Sequence, residues 1–425
     1  MTHVRILEDR SPLRWLSGQH PTLFRHLSEM GRGRIKERDR LHFCGLVHPP
    51  GETPTVFLPR AALQNDFSED LATAQLTMRT LAKFGYRNRT RTDISSFGPQ
   101  GISQLGVVLD LAADYRDYGV YCETERYPTI GSGKPNWSKT LRREFGFYDE
   151  NGELGPPLRI RGQRSLNSHS SALSQIQVTV LREIVHSHGW WLTQFGLHGL
   201  LRSRHGATAT PRNRWVTLLK QVRQSLYSTR SLRLCGLLVE YLEEQAKTQQ
   251  SSLLIGMEDF HIVWEEALRH VMPGVERQWN SLLPVPYYVS REDHHANEAR
   301  AGLRTDIVFR RDGRLMLADA KYYAASYAGE SPGVADIVKQ QAYERAIEFI
   351  DGKPLAGNMF IFPASQSGAG KFTHIEFRTE NGARADTFPL VSCLYLSVHD
   401  VLQHYVKDQT LLVTLFDNQL RPLAV

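Results

Sequence analysis

The sequence predicts a mixed α/β protein, α+β overall, with a mixed central sheet flanked by helices and a mixed α+β region before it. Three observations predict this. Residues 302–321 read as two short apolar strands, Ile307-Val308-Phe309 and Leu315-Met316-Leu317, joined by the strong hairpin dipeptide Asp312-Gly313. Just upstream, Phe260, Val263, Trp264, Ala267, Leu268 and Val271 recur at the spacing of one helix face. Downstream, residues 332–349 read as a second helix and Asn358-Met-Phe-Ile-Phe-Pro363 as a further strand.

The remaining elements follow in chain order. Residues 42–47 and 55–58 are expected as short strands around the turn at Pro49 to Pro54, and residues 71–84 as a helix ending at Gly85. Another helix is expected from Gly106, and a turn at residues 149–152 ahead of Pro156-Pro157. Helical spacing returns over 171–191 and 215–245, and the polar stretch 246–252 makes a boundary. Residues 365–370 read as a loop, 374–377 as a strand and 394–406 as a closing helix. The expected organisation is therefore a basic recognition and assembly region over 1–160, a helical region over 161–250 and a third domain over 251–425.

Composition bounds the class. With 425 residues, 41% of them hydrophobic and 23% charged, the chain is globular and longer than one ordinary domain. No apolar run approaches the roughly 18–20 residues that span a bilayer, and the N-terminus lacks a signal-peptide core, so a cytoplasmic protein is expected. Cys44, Cys122, Cys235 and Cys393 are widely spaced, which suggests neither a zinc site nor a disulfide framework.

Charge is uneven. Residues 251–425 sum to −5, so the first 250 residues carry +11 of the chain's net +6. Basic residues cluster at Arg32 to Arg40, at Arg87, Arg89 and Arg91, and from Arg202 to Arg230. Clustered Arg and Lys neutralise phosphates and release counterions, so the N-terminal half is expected to grip DNA. Any one cluster can equally be a solvated face.

The hairpin carries the chemistry. Side chains alternate along a strand, so Asp319 and Lys321 point the same way, and Asp306 lies thirteen residues before Asp319 across the turn. Two carboxylates suit Mg²⁺, a hard cation that prefers oxygen and keeps several waters, while a lysine beside them orients an attacking water and offsets phosphate charge. That combination points to phosphodiester hydrolysis.

The arrangement resembles the PD-(D/E)XK nuclease superfamily, in which one core strand opens with an Asp and the next carries an acid-x-Lys triplet. Asp306 stands as the first acid and Asp319-Ala320-Lys321 as the triplet, with Thr305 in place of the superfamily's proline. The resemblance implies a restriction-endonuclease-like core, Asp306, Asp319 and Glu265 as metal ligands, and Lys321 and Gln340 as further catalytic groups. Glu266 is the understudy for Glu265, and Tyr343, on the face of Gln340, is expected to touch DNA.

The wording of three segments, Phe260-His-Ile-Val-Trp-Glu-Glu-Ala-Leu, Asp319-Ala-Lys-Tyr-Tyr and Pro332-Gly-Val-Ala-Asp-Ile-Val-Lys-Gln, is similar to the LlaJI-type, McrC-related restriction endonucleases. Gly133-Lys-Pro-Asn-Trp137-Ser-Lys-Thr140 resembles a box of the same family and supplies Lys134 and Lys139 as DNA contacts. Membership implies Mg²⁺-dependent restriction of double-stranded DNA with a separate McrB-like AAA+ NTPase, and leaves room for a homo-oligomer. The rivals are a repair or transposition nuclease of the same superfamily, and a non-cleaving DNA-binding scaffold subunit.

Three motifs are discounted. Gly131-Ser-Gly-Lys134 lacks the first glycine of a phosphate-binding loop, has Pro135 where Ser or Thr belongs, and therefore predicts no NTP hydrolysis. His294-His295 reads as a solvated loop, and Trp190-Trp191 as core before base-stacking platform.

Overall fold

The computed structural model describes residues 4–29, 35–36, 39–49, 52–87, 101–143, 151–152, 155, 159–202, 210–248, 253–289, 296–298, 302–368 and 370–411. The chain divides into two compact units, one made of residues 1–106 with 248–425 and one of residues 107–247.

In the first unit β1 (Arg5–Glu8), β2 (Cys44–His48), β3 (Thr55–Leu58) and β4 (Leu253–Met257) form a sheet in the order β1-β3-β2-β4. β1 and β3 are parallel, and the other two pairs are antiparallel. The β2–β4 seam draws the N-terminus into the same body as residues 248–425, a different division from three consecutive regions. Gly45 and Gly256 are paired there, and a Cβ on Gly45, at φ 135°, would stand 2.2 Å from the Ile255 carbonyl oxygen. Such a pairing across about two hundred residues leaves no local trace in sequence.

Next come α1 (Phe67–Arg87) and α2 (Phe260–Val271), and then a five-stranded sheet. Its strands are β5 (Ile307–Arg311), β6 (Arg314–Ala320), β7 (Gly357–Ala364), β8 (His374–Ile375) and β9 (Val391–Ser397), in the order β5-β6-β7-β9-β8. β6, β7 and β9 run parallel, while the two edge strands are antiparallel to their neighbours. α3 (Val334–Asp351) is the crossover between β6 and β7, as a parallel pair requires. All six residues of the predicted apolar stripe on α2 are buried. Each large one removed from water is worth roughly 1.5–3 kcal/mol. α2 and α1 both pack on α4 (Val398–Lys407).

The Asp312-Gly313 turn forms as its composition predicts: Arg311 pairs with Arg314, and the two residues between have φ of 47° and 76°. The C-terminal segment differs from expectation. Residues 391–397, every one buried, form β9, and the helix starts only at Val398, where the Ser397 hydroxyl caps the backbone N–H of Asp400 at 3.2 Å. A wholly buried strand loses the alternation that marks a half-buried one, so its apolar run passes for part of the helix. α1 likewise runs through Gly85 to Arg87.

In the second unit, strands Glu123–Ile130 and Arg161–Ser168 form an antiparallel pair joined at its edge by Lys134–Pro135. Helix Ala172–His188 lies against helix Trp215–Arg223, and a third helix, Thr229–Thr248, begins after a break in the stretch expected to be continuous. Trp191 is fully buried, a core residue rather than a stacking platform. Gly131 and Gly133, at φ 76° and 80°, make the turn into Lys134–Pro135. That strand-to-strand turn has no helix N-terminus to cradle a phosphate. Arg32, Arg34, Arg38, Arg89, Arg91 and Arg204 lie outside the described residues, as do His294, His295 and the Arg87 side chain. No helix among the described residues is long and apolar enough to cross a membrane.

Candidate active site

The hairpin register places Ile307 opposite Ala318, so Asp306, the residue before β5, comes beside Asp319 near the end of β6. Asp306 Oδ2 accepts the Ala320 backbone N–H at 3.0 Å, which fixes its carboxylate against the neighbouring strand. Burial, then the facing charges of Asp319 and Glu265, push the Asp306 carboxyl up to about 7. Asp319 is only 6% exposed. Its Oδ2 has no hydrogen bond of satisfactory angle, although the Lys321 ammonium stands 2.9 Å away.

Lys321 leaves the sheet with its backbone N–H on the Ile361 carbonyl, and its side chain is shared between two acids. Nζ donates to Asp336 Oδ1 at 2.8 Å, and Phe360 lies beneath it with the ring centroid 5.6 Å off. Burial opposes the charged ammonium, but the Asp319 and Asp336 carboxylates outweigh it and raise the Lys321 pKa. The lysine thus stays protonated at neutral pH. It stands beside the acid pair as a positive charge and a hydrogen-bond donor.

Glu265 is not delivered to the pair. Arg269, one turn on, takes it in an ion pair, binds Glu266 at 3.1 Å, and donates from Nε to the Asp306 carbonyl at 3.0 Å. Among the described residues no group of three or more His, Cys, Asp or Glu side chains stands ready to hold a metal. Glu265, the expected third ligand, has its Oε1 on Arg269 while its charge reaches Asp306. The i,i+4 spacing of Glu265 and Arg269 was the sequence signal for this.

Gln340 and Tyr343 are both buried. Gln340 is 1% exposed, and its amide donates to Asn358 Oδ1 at 2.8 Å, tying α3 to β7 rather than reaching an acid. Tyr343 is 3% exposed, packs with Trp279, Val308, Leu317 and Ile347, and turns its hydroxyl toward the Arg304 N–H at 3.4 Å. Both are on the buried face of α3. Lys134 and Lys139 are exposed, as DNA contacts require. Lys139 sits on the short helix Trp137–Arg143, whose Asn136 side chain accepts the Lys139 backbone N–H at 3.0 Å.

Two groups went unnoticed in the sequence. Asp336, in the first turn of α3, is an acid well placed for a helix N-terminus, but only the fold brings it to Lys321. Tyr322 sends its hydroxyl into the N-terminal sheet, accepting the Arg60 N–H at 2.6 Å and lying 3.6 Å from Cys44 Sγ.

The residues present fit one hydrated divalent cation. A partly buried carboxylate, Asp306, lies beside the buried Asp319, its proton affinity raised by burial and by the neighbouring acids, and Mg²⁺ is held by one or two carboxylates with waters and substrate phosphate.

Residues 55–387 match the LlaJI restriction endonuclease family. Over 178 residues, 40% of this chain, it is 28% identical to the type II restriction enzyme BsuMI component YdjA of Bacillus subtilis (strain 168), and the match spans 37% of that protein's length. A chain of the Thermococcus gammatolerans McrBC complex is similar at 12% identity and a TM-score of 0.27, covering 62% of this chain and 86% of that one. A likeness that slight carries no argument.

Proposed function

The chain belongs to the LlaJI restriction endonuclease family, and from that premise we propose that it is a Mg²⁺-dependent DNA endonuclease of a restriction system, working with a separate McrB-like AAA+ NTPase. The observation that carries the reading is the facing pair Asp306 and Asp319 with Lys321 at 2.9 Å from one of them. In this reading Asp306 and Asp319 hold the cation. The cation, when bound, would neutralise phosphate charge and lower the pKa of a water.

The chain's own groups then have distinct tasks. Lys321, kept charged by Asp319 and Asp336, stabilises the negative charge that builds on the phosphoryl oxygens. The Ala320 N–H and Arg269 hold Asp306 in place from its side chain and its carbonyl. A separate motor subunit is supported by the family resemblance, by the word "component" in the name of the Bacillus relative, and by the absence of a phosphate-binding loop at Gly131-Ser-Gly-Lys134.

The test is cleavage of modified and unmodified plasmids by the purified chain, with and without Mg²⁺ and a McrB-like NTPase. Cutting is expected only with Mg²⁺, and Lys321→Ala is expected to abolish it with DNA binding retained. Undiminished cutting by Lys321→Ala removes the mechanism. Binding without cutting under every condition favours the non-cleaving scaffold instead.

A further inference from the structure

Ala320 and Lys321 form one side of an open cleft of about 550 Å³ whose opposite side comes from the N-terminal segment. Arg10, Arg40 and Arg60 line it together with His42, His261 and Glu330, and with Asp9 beside Arg10 two carboxylates stand against three guanidiniums. Glu330 spaces two of them, its oxygens 3.3 Å from Arg40 and 3.5 Å from Arg60. Arg10 is braced from behind by buried Asp9, whose Oδ1 accepts the backbone N–H groups of Arg10 and Phe43 at 2.8 and 2.9 Å. After these pairings the cleft keeps an excess of positive charge in a concave, partly desolvated place, where that charge acts more strongly than on an open face.

The local backbone is unusual too. The segments that carry the three arginines each hold a side-chain-bearing residue in the left-handed region: Arg10 at φ 67°, Asp39 at 53° and Ala61 at 60°. Such conformations persist where the surrounding structure over-determines them, and they gather at ligand clamps. Tyr322, next to Lys321, fixes the Arg60 backbone through the 2.6 Å hydrogen bond, so the arginine wall and the lysine are held in one frame.

We infer that this cleft is a subsite for a backbone phosphate of the strand held for cleavage, next to the phosphate that Lys321 serves, with Arg40 and Arg60 as its forked donors. The inference rests on the nuclease reading above. A guanidinium fork matches two phosphate oxygens at once, which a lone ammonium does not, and a neighbouring phosphate held here would set the register of the scissile one. A free nucleotide presents the same phosphate chemistry, so the experiment must separate the two sources.

On a duplex whose cut position has been mapped, neutral methylphosphonate links are placed one at a time on either side of the cut. Binding is then measured without Mg²⁺ for the wild type, Arg40→Gln and Arg60→Gln. Each variant is expected to melt like the wild type, to bind about tenfold more weakly, and to lower the slope of log affinity against log salt by about 1. One methylphosphonate position should weaken wild-type binding and have no further effect in the variants. An identical methylphosphonate profile in all three proteins overturns the subsite. So does a profile unchanged in the variants while pyrophosphate or ADP raises the wild-type melting temperature alone, which makes the cleft a site for a free ligand. Failure of the wild type to cut any duplex with its partner and Mg²⁺ takes the nuclease reading down as well, whereas cutting with an unchanged profile removes the subsite only.

Discussion

In the unit that holds Asp306 and Asp319, Lys321 is paired at short range with the buried Asp319 and the partly buried Asp336, whereas in residues 107–247 the basic residues stand mostly in water. The totals sharpen the contrast. Residues 107–247 contain 19 Lys and Arg against 13 Asp and Glu, and the rest of the chain contains 32 of each, so the whole net +6 belongs to the second unit. A reaction centre needs charges fixed in a low-dielectric place, where each acts strongly on its neighbour. Holding a polyanion needs exposed cations that trade counterions for phosphates. The N-terminal basic excess expected from sequence is therefore split: residues 1–106 offset the acidic C-terminal part, and 107–247 keep the surplus.

The largest effects should fall on the first unit. Asp306→Asn keeps size and shape but removes one of the two facing charges, and cleavage is expected to fall about 10²–10³-fold, the scale for losing one preorganised electrostatic group. Its salt-dependent binding curve should overlay the wild type, and a changed slope would erase the division between the units.

Two tryptophans compare the units by stability. Trp264 on α2 is fully buried, and Trp264→Ala is expected to cost about 3–5 kcal/mol in denaturant unfolding. Trp137 is 52% exposed beside Lys134 and Lys139, and Trp137→Ala should change stability by no more than about 0.5 kcal/mol. Arg269→Ala lies between them, at about 1–3 kcal/mol, because the Asp306 carbonyl and two glutamates lose one donor together.

In the second unit, Lys134→Gln with Lys139→Gln should leave the melting temperature unchanged and lower the salt slope of DNA binding by about 2, roughly 1 per phosphate contact. An unchanged slope would place the grip elsewhere on the basic surface. The smallest effect belongs to Tyr343→Phe, which removes a single long hydrogen bond and should cost about 0.5 kcal/mol while leaving DNA affinity untouched. Any loss of affinity would return Tyr343 to the interface the sequence first suggested.

Local rules made much of this legible. The Asp312-Gly313 turn, the alternation of Asp319 and Lys321 and the six-residue stripe of α2 depend only on neighbours a few positions apart, and each was readable before any fold. The sequence by itself determined that two acids and a lysine would meet on adjacent strands. Tertiary structure alone decided what surrounds them. α3 turns Gln340 and Tyr343 inward, Asp336 joins Lys321, and the β2–β4 seam brings Arg10, Arg40 and Arg60 to the cleft beside it. These outcomes depend on which faces are buried and which distant strands pair, and such choices are settled by packing the whole chain at once rather than by any window along it.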